Sequence, residues 1–191
     1  LSIYLGVKSF AEAQKRGCVL GFDNRFAGPL LAAQVAEVLE RSGFTIYYAG
    51  ESTTGVLSAA VLELGAAFSI NLTPSHNPLE YGGYKFNAAD AGPAASPVTQ
   101  RITRNAKRLV SDGFIQKLID APTQDLIVPG GLIKTFDSFA IWQQLVLKNA
   151  ETHGIELEKT VSEFLNRDDI VVAVDCVHGS SRLHIREMFS P

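Results

Sequence analysis

Residues 66–78 read AAFSINLTPSHNP and change abruptly from an apolar run to a polar, proline-bounded segment. The first part, Ala66 to Leu72, has the length and apolar character of a buried strand. Pro74 and Pro78 then disfavour helical backbone in the residues that precede them. The sequence therefore predicts a strand that ends in an irregular loop, with Ser75 presented on that loop.

Two strand–helix units precede this stretch. The first joins the apolar run Cys18 to Phe22 to a helical pattern from Pro29 to Arg41. The second joins the β-branched and aromatic residues 44–49 to a helical pattern from Thr54 to Leu64. Because strands separated by helices of this length usually pair in parallel, we predict an α/β fold: a three-layer α/β/α domain with a mixed, mostly parallel sheet.

Polar residues follow each of the three predicted strands. Residues 23–25 are Asp-Asn-Arg, residues 51–53 are Glu-Ser-Thr and residues 75–77 are Ser-His-Asn. Ligands of parallel α/β sheets bind beyond the carboxyl ends of the strands, so we expect these three groups to share one edge. Residues 86–87 are expected to form a short hairpin or an additional edge strand.

Composition excludes several classes of protein. The chain has 191 residues, of which 46% are hydrophobic and 19% charged, and this is typical of an ordinary soluble globular protein. A formal net charge of −3 gives no general attraction for nucleic acid or an anionic membrane, so neither is an expected partner. No apolar run approaches the ~20 residues that span a bilayer. Cys18 and Cys176 are expected to be buried free thiols in strands, which favours a cytoplasmic location.

The second half of the chain combines helical patterns with one further strand-like run. Helices are expected over residues 98–118, 136–149 and 156–165, a strand over Ile170 to Asp175, and a helical stretch up to Met188. We therefore expect one complete α/β domain over residues 1–150, followed by a linker helix and the incomplete start of a second, similar domain over residues 151–191.

A basic run lies within the first of these predicted helices. We interpret it as a solvated helix face and not as a nucleic-acid surface, because no aromatic residues alternate with the charges. The run consists of Arg101, Arg104, Lys107 and Arg108.

Ser75, His76 and Lys85 are the candidate catalytic residues. Ser75 needs a base or an electrophilic partner to react, and His76 is adjacent, but neighbouring side chains point apart in extended backbone unless a turn intervenes. His76 is otherwise expected to meet the ligand. Gly82-Gly83 permits a backbone reversal that brings Lys85 back toward Ser75, where an ammonium group stabilises a phosphoryl group. Residue types alone also allow a purely structural turn, with Asn77 in an Asx hydrogen bond.

Three motifs resemble the α-D-phosphohexomutases, the family of phosphoglucomutase and phosphomannomutase. Residues 73–78 (TPSHNP) with residues 83–86 (GYKF) resemble the phosphoserine loop of that family. Residues 21–25 (GFDNR) resemble its Gly-x-Asp-x-Arg segment, and residues 174–179 (VDCVHG) resemble the strand and turn that open its second domain. The resemblance covers almost the whole chain and implies a first domain followed by the start of the next, out of four.

By this resemblance, Ser75 carries a phosphoryl group, passes it to a hexose phosphate and recovers one from the opposite end of a bisphosphorylated intermediate. Lys85 is implied to be a general acid/base or charge-stabilising partner, and His76 and Asn77 match loop residues that organise phosphate and substrate. The resemblance also implies Mg²⁺ at a phosphoserine oxygen of Ser75, and glucose 1,6-bisphosphate or a similar sugar as activator. A small-molecule hexose phosphate is therefore the expected partner.

Arg25 has two interpretations of about equal weight. It is either a phosphate-binding residue or the partner of a surface ion pair, in which Asp23 holds the guanidinium.

Several features depart from the family pattern. Pro74 stands where a small residue is usual, and Gly82-Gly83 where an Asn-Gly pair is common. The family's Asp-Gly-Asp-x-Asp metal run and sugar-recognition loop are absent from these residues, so the fragment alone is not expected to turn over without the remaining domains of a full-length protein. The rival hypothesis is a non-catalytic sugar-phosphate-binding or scaffold protein that retains the fold. A serine hydrolase is disfavoured because Ser75 lacks the Gly-x-Ser-x-Gly elbow.

Overall fold

A five-stranded sheet forms the centre of the computed structural model, which describes residues 6–113, 127 and 130–189. The strands are β1 (Cys18–Phe22), β2 (Ile46–Glu51), β3 (Phe68–Leu72), β4 (Lys85–Asn87) and β5 (Ile133–Thr135). Their order in the sheet is β4-β3-β1-β2-β5. Strands β3, β1, β2 and β5 are parallel, and β4 pairs antiparallel with β3, so the sheet is mixed and mostly parallel, as predicted.

Helices connect and follow these strands in the order that the sequence predicts. Those in the described residues are α1 (Phe10–Arg16), α2 (Gly28–Arg41), α3 (Thr54–Glu63), α4 (Ser96–Ser111), α5 (Ser138–Lys148), α6 (Ala150–His153), α7 (Leu157–Leu165) and α8 (Arg182–Met188). None of them is long and apolar enough to cross a membrane.

Alternate strand residues supply two separate apolar cores, one on each face of the sheet. On the face covered by α2, Leu20, Ile46 and Ile70 pack against Ala32 and its neighbours. On the opposite face, Val19 packs against α3 residues that include Leu57 and Val61. Because successive side chains of a strand point to opposite faces, strands with both faces covered are buried throughout, and this gives the predicted three layers.

Gly17 makes the close approach that lets α1 lead directly into β1. Its backbone has φ +79°, and a Cβ atom at this position would overlap the carbonyl oxygen of Thr45. That same oxygen accepts a hydrogen bond from the Cys18 N–H at 2.9 Å, at the start of β1. Only glycine therefore fits between α1 and the sheet without displacing the first strand.

Strand β5 was not predicted from the sequence. It extends the sheet beyond β2, with Ile46 opposite Ile133 and Tyr48 opposite Thr135. Three residues carry too little periodicity to identify a strand, and β5 exists because the exposed edge of β2 offers it backbone hydrogen bonds.

The predicted strand from Ile170 to Asp175 is wrong for this structure. These residues have no regular secondary structure, and Val171 is 95% exposed. A strand requires a neighbouring strand for its backbone hydrogen bonds, and within the described part of the chain none pairs with this run. Cys176, expected in a buried strand, is likewise only partly buried and lies outside any strand.

Helix α4 is shorter than predicted. It ends at Ser111, and Gly113 follows with φ +71°, a conformation that commonly closes a helix. Residues 114–118, which were also expected to be helical, lie outside the described residues. The four basic residues of α4 are exposed, as predicted.

The chain beyond residue 150 contacts the preceding domain at two places, helix α5 and the end of β2. Helix α5 packs on α3, and its Phe139 ring stacks on His184 of α8 with ring centres 5.3 Å apart. Arg182 of α8 forms a two-pronged ion pair with Glu51, at the end of β2, with distances of 2.9 and 2.7 Å. The boundary near residue 150 remains a prediction.

Replacing Gly17 by alanine tests the close approach, and Gly65→Ala is a matched control. Both glycines have positive φ, but a Cβ atom at Gly65 would meet nothing within 4 Å. We expect Gly65→Ala to lower the free energy of unfolding by about 1 kcal/mol, from backbone strain alone, and Gly17→Ala to lower it by a further 1–3 kcal/mol or so, from the overlap with Thr45. Urea unfolding of the 191-residue chain measures both. Equal losses for the two variants would contradict the packing role of Gly17.

Candidate active site

The three predicted strand ends do share one edge. Phe22 at the end of β1 lies opposite both Leu72 of β3 and Glu51 of β2. The next residues extend this pairing: Asp23 N–H donates to Leu72 at 3.1 Å, and Ser52 N–H donates to Phe22 at 2.9 Å. The polar residues after β1, β2 and β3 are therefore brought to the same end of the sheet.

The loop over residues 73–83, here called the Ser75 loop, begins with a hydrogen-bonded turn. Thr73 is buried, and its hydroxyl accepts the Ser75 N–H at 3.0 Å while donating to Asp23 at 2.6 Å. The Asn77 side-chain amide donates to the Pro74 carbonyl at 2.8 Å. Ser75 itself is exposed. The loop thus has the internal bonds of a structural turn and also presents Ser75 to solvent.

Left-handed backbone at Ser75 brings its side chain beside that of His76. Ser75 has φ +64°, which is uncommon for a residue other than glycine and is concentrated at functional sites. Its hydroxyl oxygen lies 3.4 Å from Nδ1 of His76, at the long end of hydrogen-bonding distance. The turn that proton transfer between these neighbours requires is therefore present.

Arg25 fixes the shape of the Ser75 loop. Its guanidinium donates to four loop carbonyl groups, those of Ser75 at 3.3 Å, Asn77 at 2.5 Å, Pro78 at 2.6 Å and, more weakly, Tyr81 at 3.5 Å. The remaining contact runs from Nε to Asp23 at 3.2 Å. A guanidinium has five N–H donors, so these contacts use the whole group.

Asp23 joins the two ends of this arrangement. One of its carboxylate oxygens, Oδ2, accepts from both Arg25 and Thr73, and the side chains of Arg25 and Asp23 are only 18% and 14% exposed. The predicted pairing of Arg25 with Asp23 is thus observed. Every donor of the Arg25 guanidinium is engaged with the protein. Direct phosphate binding by Arg25 stays a prediction.

Gly83 allows the chain to fold back after the Ser75 loop. A Cβ atom there would overlap the Thr73 carbonyl oxygen and lie 2.5 Å from Cα of Pro74. This close backbone approach leads into β4, where Lys85 pairs with Asn71 of β3. The reversal predicted from Gly82-Gly83 therefore places Lys85 at the same edge of the sheet as Ser75.

The Lys85 ammonium has no ion pair or hydrogen bond among the described residues, although its side chain is partly buried. It does not contact Ser75 or His76 directly. The expected contact of Lys85 with an anionic ligand stays a prediction.

A cavity of about 250 Å³ lies below the Ser75 loop, between it and the start of α2. Asp23, Arg25, Gly28, Pro74 and Gly83 line it. Small-molecule pockets usually measure about 300–1,000 Å³, so this cavity is smaller than a typical small-molecule site.

A larger cavity, of about 610 Å³, lies between β4 and α4 and is lined mainly by apolar residues. Phe86, which faces it, belongs to the α2 side of the sheet. Lys85 points to the opposite side, so this cavity is separate from the candidate site.

The described residues provide few ligands for a metal ion. They contain no group of three or more His, Cys, Asp or Glu side chains suited to one. Asp23 is engaged by Arg25 and Thr73, whereas Ser75 is exposed on its loop. That fits the single contact expected of phosphorylated Ser75 with Mg²⁺, but it does not complete a coordination shell.

Cys18 takes no part in the site. It is fully buried in β1, and burial raises the pKa of its thiol well above the ordinary range. It behaves as the small buried hydrophobe that the sequence predicts.

Thr73, and the pairing of Glu51 with Arg182, were not identified from the sequence. Thr73 follows the strand β3 directly, and nothing in the local sequence indicates that its hydroxyl bridges Ser75 and Asp23. Glu51 and Arg182 are 131 residues apart in the chain, so only the fold brings them together.

Comparisons with known proteins agree with this geometry. Residues 3–112 match the sequence profile described as phosphoglucomutase/phosphomannomutase, alpha/beta/alpha domain I. A phosphoglucosamine mutase of Paenarthrobacter aurescens is 34% identical over 183 residues, which are 94% of this chain and 34% of that protein. A protein of Schizosaccharomyces pombe described as a phosphoribomutase is 28% identical over 144 residues, 73% of this chain and 23% of that protein.

A solved structure shows the same fold. It is described as a phosphomannomutase from Thermus thermophilus, is 28% identical, and matches with a TM-score of 0.53 over 75% of this chain and 28% of that one. The chain spans about a third of the length of the curated relatives it matches. With the profile matching more than half of its residues, the chain belongs to the phosphoglucomutase/phosphomannomutase family, whose first domain it contains.

Proposed function

We propose that Ser75 is the phosphoryl carrier of a phosphohexomutase that interconverts hexose 1-phosphate and hexose 6-phosphate. The observation that carries this proposal is the exposed, left-handed Ser75 on a loop fixed by four Arg25 contacts, with His76 beside its hydroxyl. A nucleophile that must give and receive a phosphoryl group needs an open approach and a fixed position. The Ser75 loop provides both.

Each turnover consists of two phosphoryl transfers. In the first, the bond between phosphorus and the Ser75 oxygen breaks, a bond forms to the free hydroxyl of the hexose phosphate, and the proton of that hydroxyl passes, through a base on the protein, to the Ser75 oxygen. The resulting hexose bisphosphate reorients. Ser75 then takes the phosphoryl group from its other end, and the proton returns to the oxygen left on the sugar. Atoms and charges balance, and phosphorylated Ser75 is regenerated.

His76 and Lys85 are the residues of this chain suited to the proton and charge steps. His76 lies next to the Ser75 oxygen, and an imidazole ring has one nitrogen that can accept a proton and one that can donate. Lys85 supplies an unpaired ammonium at the same edge, either as general acid/base or as a charge that stabilises the transferred group. Asn77 is proposed to contact phosphate through the part of its side chain that does not bond Pro74.

Phosphoserine adds a charge of about −1.5 to −2 to the loop. Arg25 places one fixed positive charge behind the Ser75 backbone. Mg²⁺, when bound to a phosphoserine oxygen, supplies further neutralisation, with Ser75 as the ligand that this chain contributes. Its other ligands are proposed to come from the remaining domains of the full-length protein, and glucose 1,6-bisphosphate or a similar sugar is the proposed activator.

The preferred sugar is left open by this proposal. The matched relatives are named for different sugar phosphates, and the cavity below the Ser75 loop is smaller than a typical small-molecule site. The proposed partners are a small-molecule hexose phosphate and the other domains, with no nucleic acid or membrane, and the proposed location is cytoplasmic. The rival is a non-catalytic sugar-phosphate binder, motivated by Pro74 and by the paired glycines after the loop.

Intact-mass analysis tests whether Ser75 carries phosphate. After incubation of the full-length protein with glucose 1,6-bisphosphate and Mg²⁺, we expect one added phosphoryl group, located on Ser75 by peptide mapping, and mutase turnover. Ser75→Ala is expected to lose both, whereas Ser111→Ala, which alters an exposed serine at the end of α4, keeps both. Absence of phosphate on wild-type Ser75 would refute the proposal. Phosphate without turnover would favour the non-catalytic rival.

Replacing Arg25 by lysine tests its positioning role. Lysine keeps the charge but cannot donate to four carbonyl groups and a carboxylate at once. We expect kcat to fall by about 100-fold, because small displacements of a reacting group have effects of this size, and proteolysis within residues 75–83 to become faster. Arg101→Lys, on the exposed side of α4, is the control and is expected to change neither. A higher KM for the hexose phosphate with unchanged kcat would indicate direct phosphate binding instead.

A further inference from the structure

Asn71 carries a buried polar atom without a partner close to the candidate site. It lies in β3, four residues before Ser75, and is 3% exposed. Its side-chain oxygen, Oδ1, is buried and accepts no hydrogen bond from any described residue. Leaving a buried acceptor unpaired destabilises the folded state, so such an atom requires a structural or functional explanation.

The other end of the Asn71 amide is anchored. Its Nδ2 donates to the hydroxyl of Thr54 at 3.0 Å, at the start of α3. This bond fixes the side chain against the start of a buried helix. The free oxygen therefore has a defined place on the α3 face of the sheet.

Lys85 lies directly opposite Asn71 in the antiparallel pair of β3 and β4. Directly opposed residues project from the same face, with Cβ atoms about 4.5–5.5 Å apart. Asn87 confirms which face this is, because it lies two residues after Lys85 and its amide bonds Ser58 of α3. The Lys85 side chain thus leaves the sheet on the same face as the unpaired oxygen of Asn71, to which it makes no hydrogen bond in this structure.

The two side chains complement each other chemically. The Lys85 ammonium carries three donors and has no partner, while Asn71 Oδ1 is an acceptor without a donor. The flexible four-carbon stem of lysine spans the distance between opposed residues. A hydrogen bond to a charged group is stronger than one between neutral groups, so it would offset the cost of leaving the oxygen unpaired.

We propose that Asn71 is a positioning residue for Lys85: its side-chain oxygen accepts a hydrogen bond from the Lys85 ammonium and holds it at the edge that carries Ser75. The chain of contacts runs from Thr54 at the start of α3, through the Asn71 amide, to Lys85. Its relevance to turnover rests on the proposed function of Lys85, whereas the hydrogen bond itself does not. Without Asn71, the lysine stem samples many rotamers, and the cation is less often beside the transferred phosphoryl group.

The proposal is tested with full-length protein carrying ¹⁵N at the lysine side chains. An ammonium held in a hydrogen bond exchanges its protons slowly enough at low temperature to give an observable ¹⁵N–¹H signal, and loss of that signal in Lys85→Arg assigns it. We expect the Lys85 signal in the wild type and in Asn71→Asp, which keeps an acceptor, and its loss in Asn71→Leu. Asn87→Leu is the matched control. Asn87 is also a buried β-strand asparagine bonded to α3, but it lies on the same strand as Lys85 and not opposite it. If Asn71→Leu fails to fold, Asn71→Ala replaces it.

Kinetics of the same variants separate positioning from general structure. We expect kcat of hexose-phosphate interconversion to fall about tenfold in Asn71→Leu, the effect of one hydrogen bond, with KM changed little and with recovery in Asn71→Asp. A Lys85 signal that is missing in the wild type, or that persists in Asn71→Leu, would overturn the proposal even if Ser75 is phosphorylated. If the signal behaves as expected but wild-type Ser75 takes up no phosphate, the hydrogen bond stands and the proposed function fails.

Discussion

The contacts of Arg25 are the constraint on which the rest of the site depends. One planar group at the end of β1 donates to the backbone of four residues in a loop more than fifty positions away, and Asp23 holds that group in place. Loop carbonyl groups that would otherwise require water are satisfied by a single side chain. Because Arg25 follows the buried central strand β1 by three residues, it connects an exposed loop to the end of the sheet.

This constraint explains how a serine on a surface loop acquires a defined geometry. Left-handed backbone at a residue other than glycine costs free energy and persists only where neighbouring contacts outweigh the cost. Here the contacts are the Thr73 hydroxyl on one side of Ser75 and the Arg25 guanidinium on the other. These contacts hold an exposed Ser75 hydroxyl beside the His76 imidazole. The chain belongs to a family of phosphoryl-transferring mutases, and the proposed function of Ser75 rests on both facts.

Polar groups on the α3 face support the opposite side of the site. Asn71 and Asn87 replace apolar residues in a layer that is otherwise hydrophobic, and both bond to α3. Asn71 bonds β3 to the start of α3, and Asn87 bonds the three-residue strand β4 to the same helix. The position of Lys85 is therefore set by the pairing of β4 in the sheet. The loop that precedes Lys85 contributes the close backbone approach at Gly83.

The sequence by itself determined the layered α/β fold, the order of the elements from β1 to β4, and the residues that meet at the carboxyl edge. Apolar periodicity and glycine or proline boundaries are local signals, and parallel strands align their ends without further information. Sequence also identified the family, through residues 73–78 and their neighbours. Only the tertiary structure decided that β5 exists and that residues 170–175 form no strand. It also decided that Arg25 donates to the loop and that Asn71 lies opposite Lys85. Each of these four features depends on a partner that is distant in the chain. The position of that partner sets the strength of the hydrogen bond or strand pair, and no local sequence pattern encodes that position.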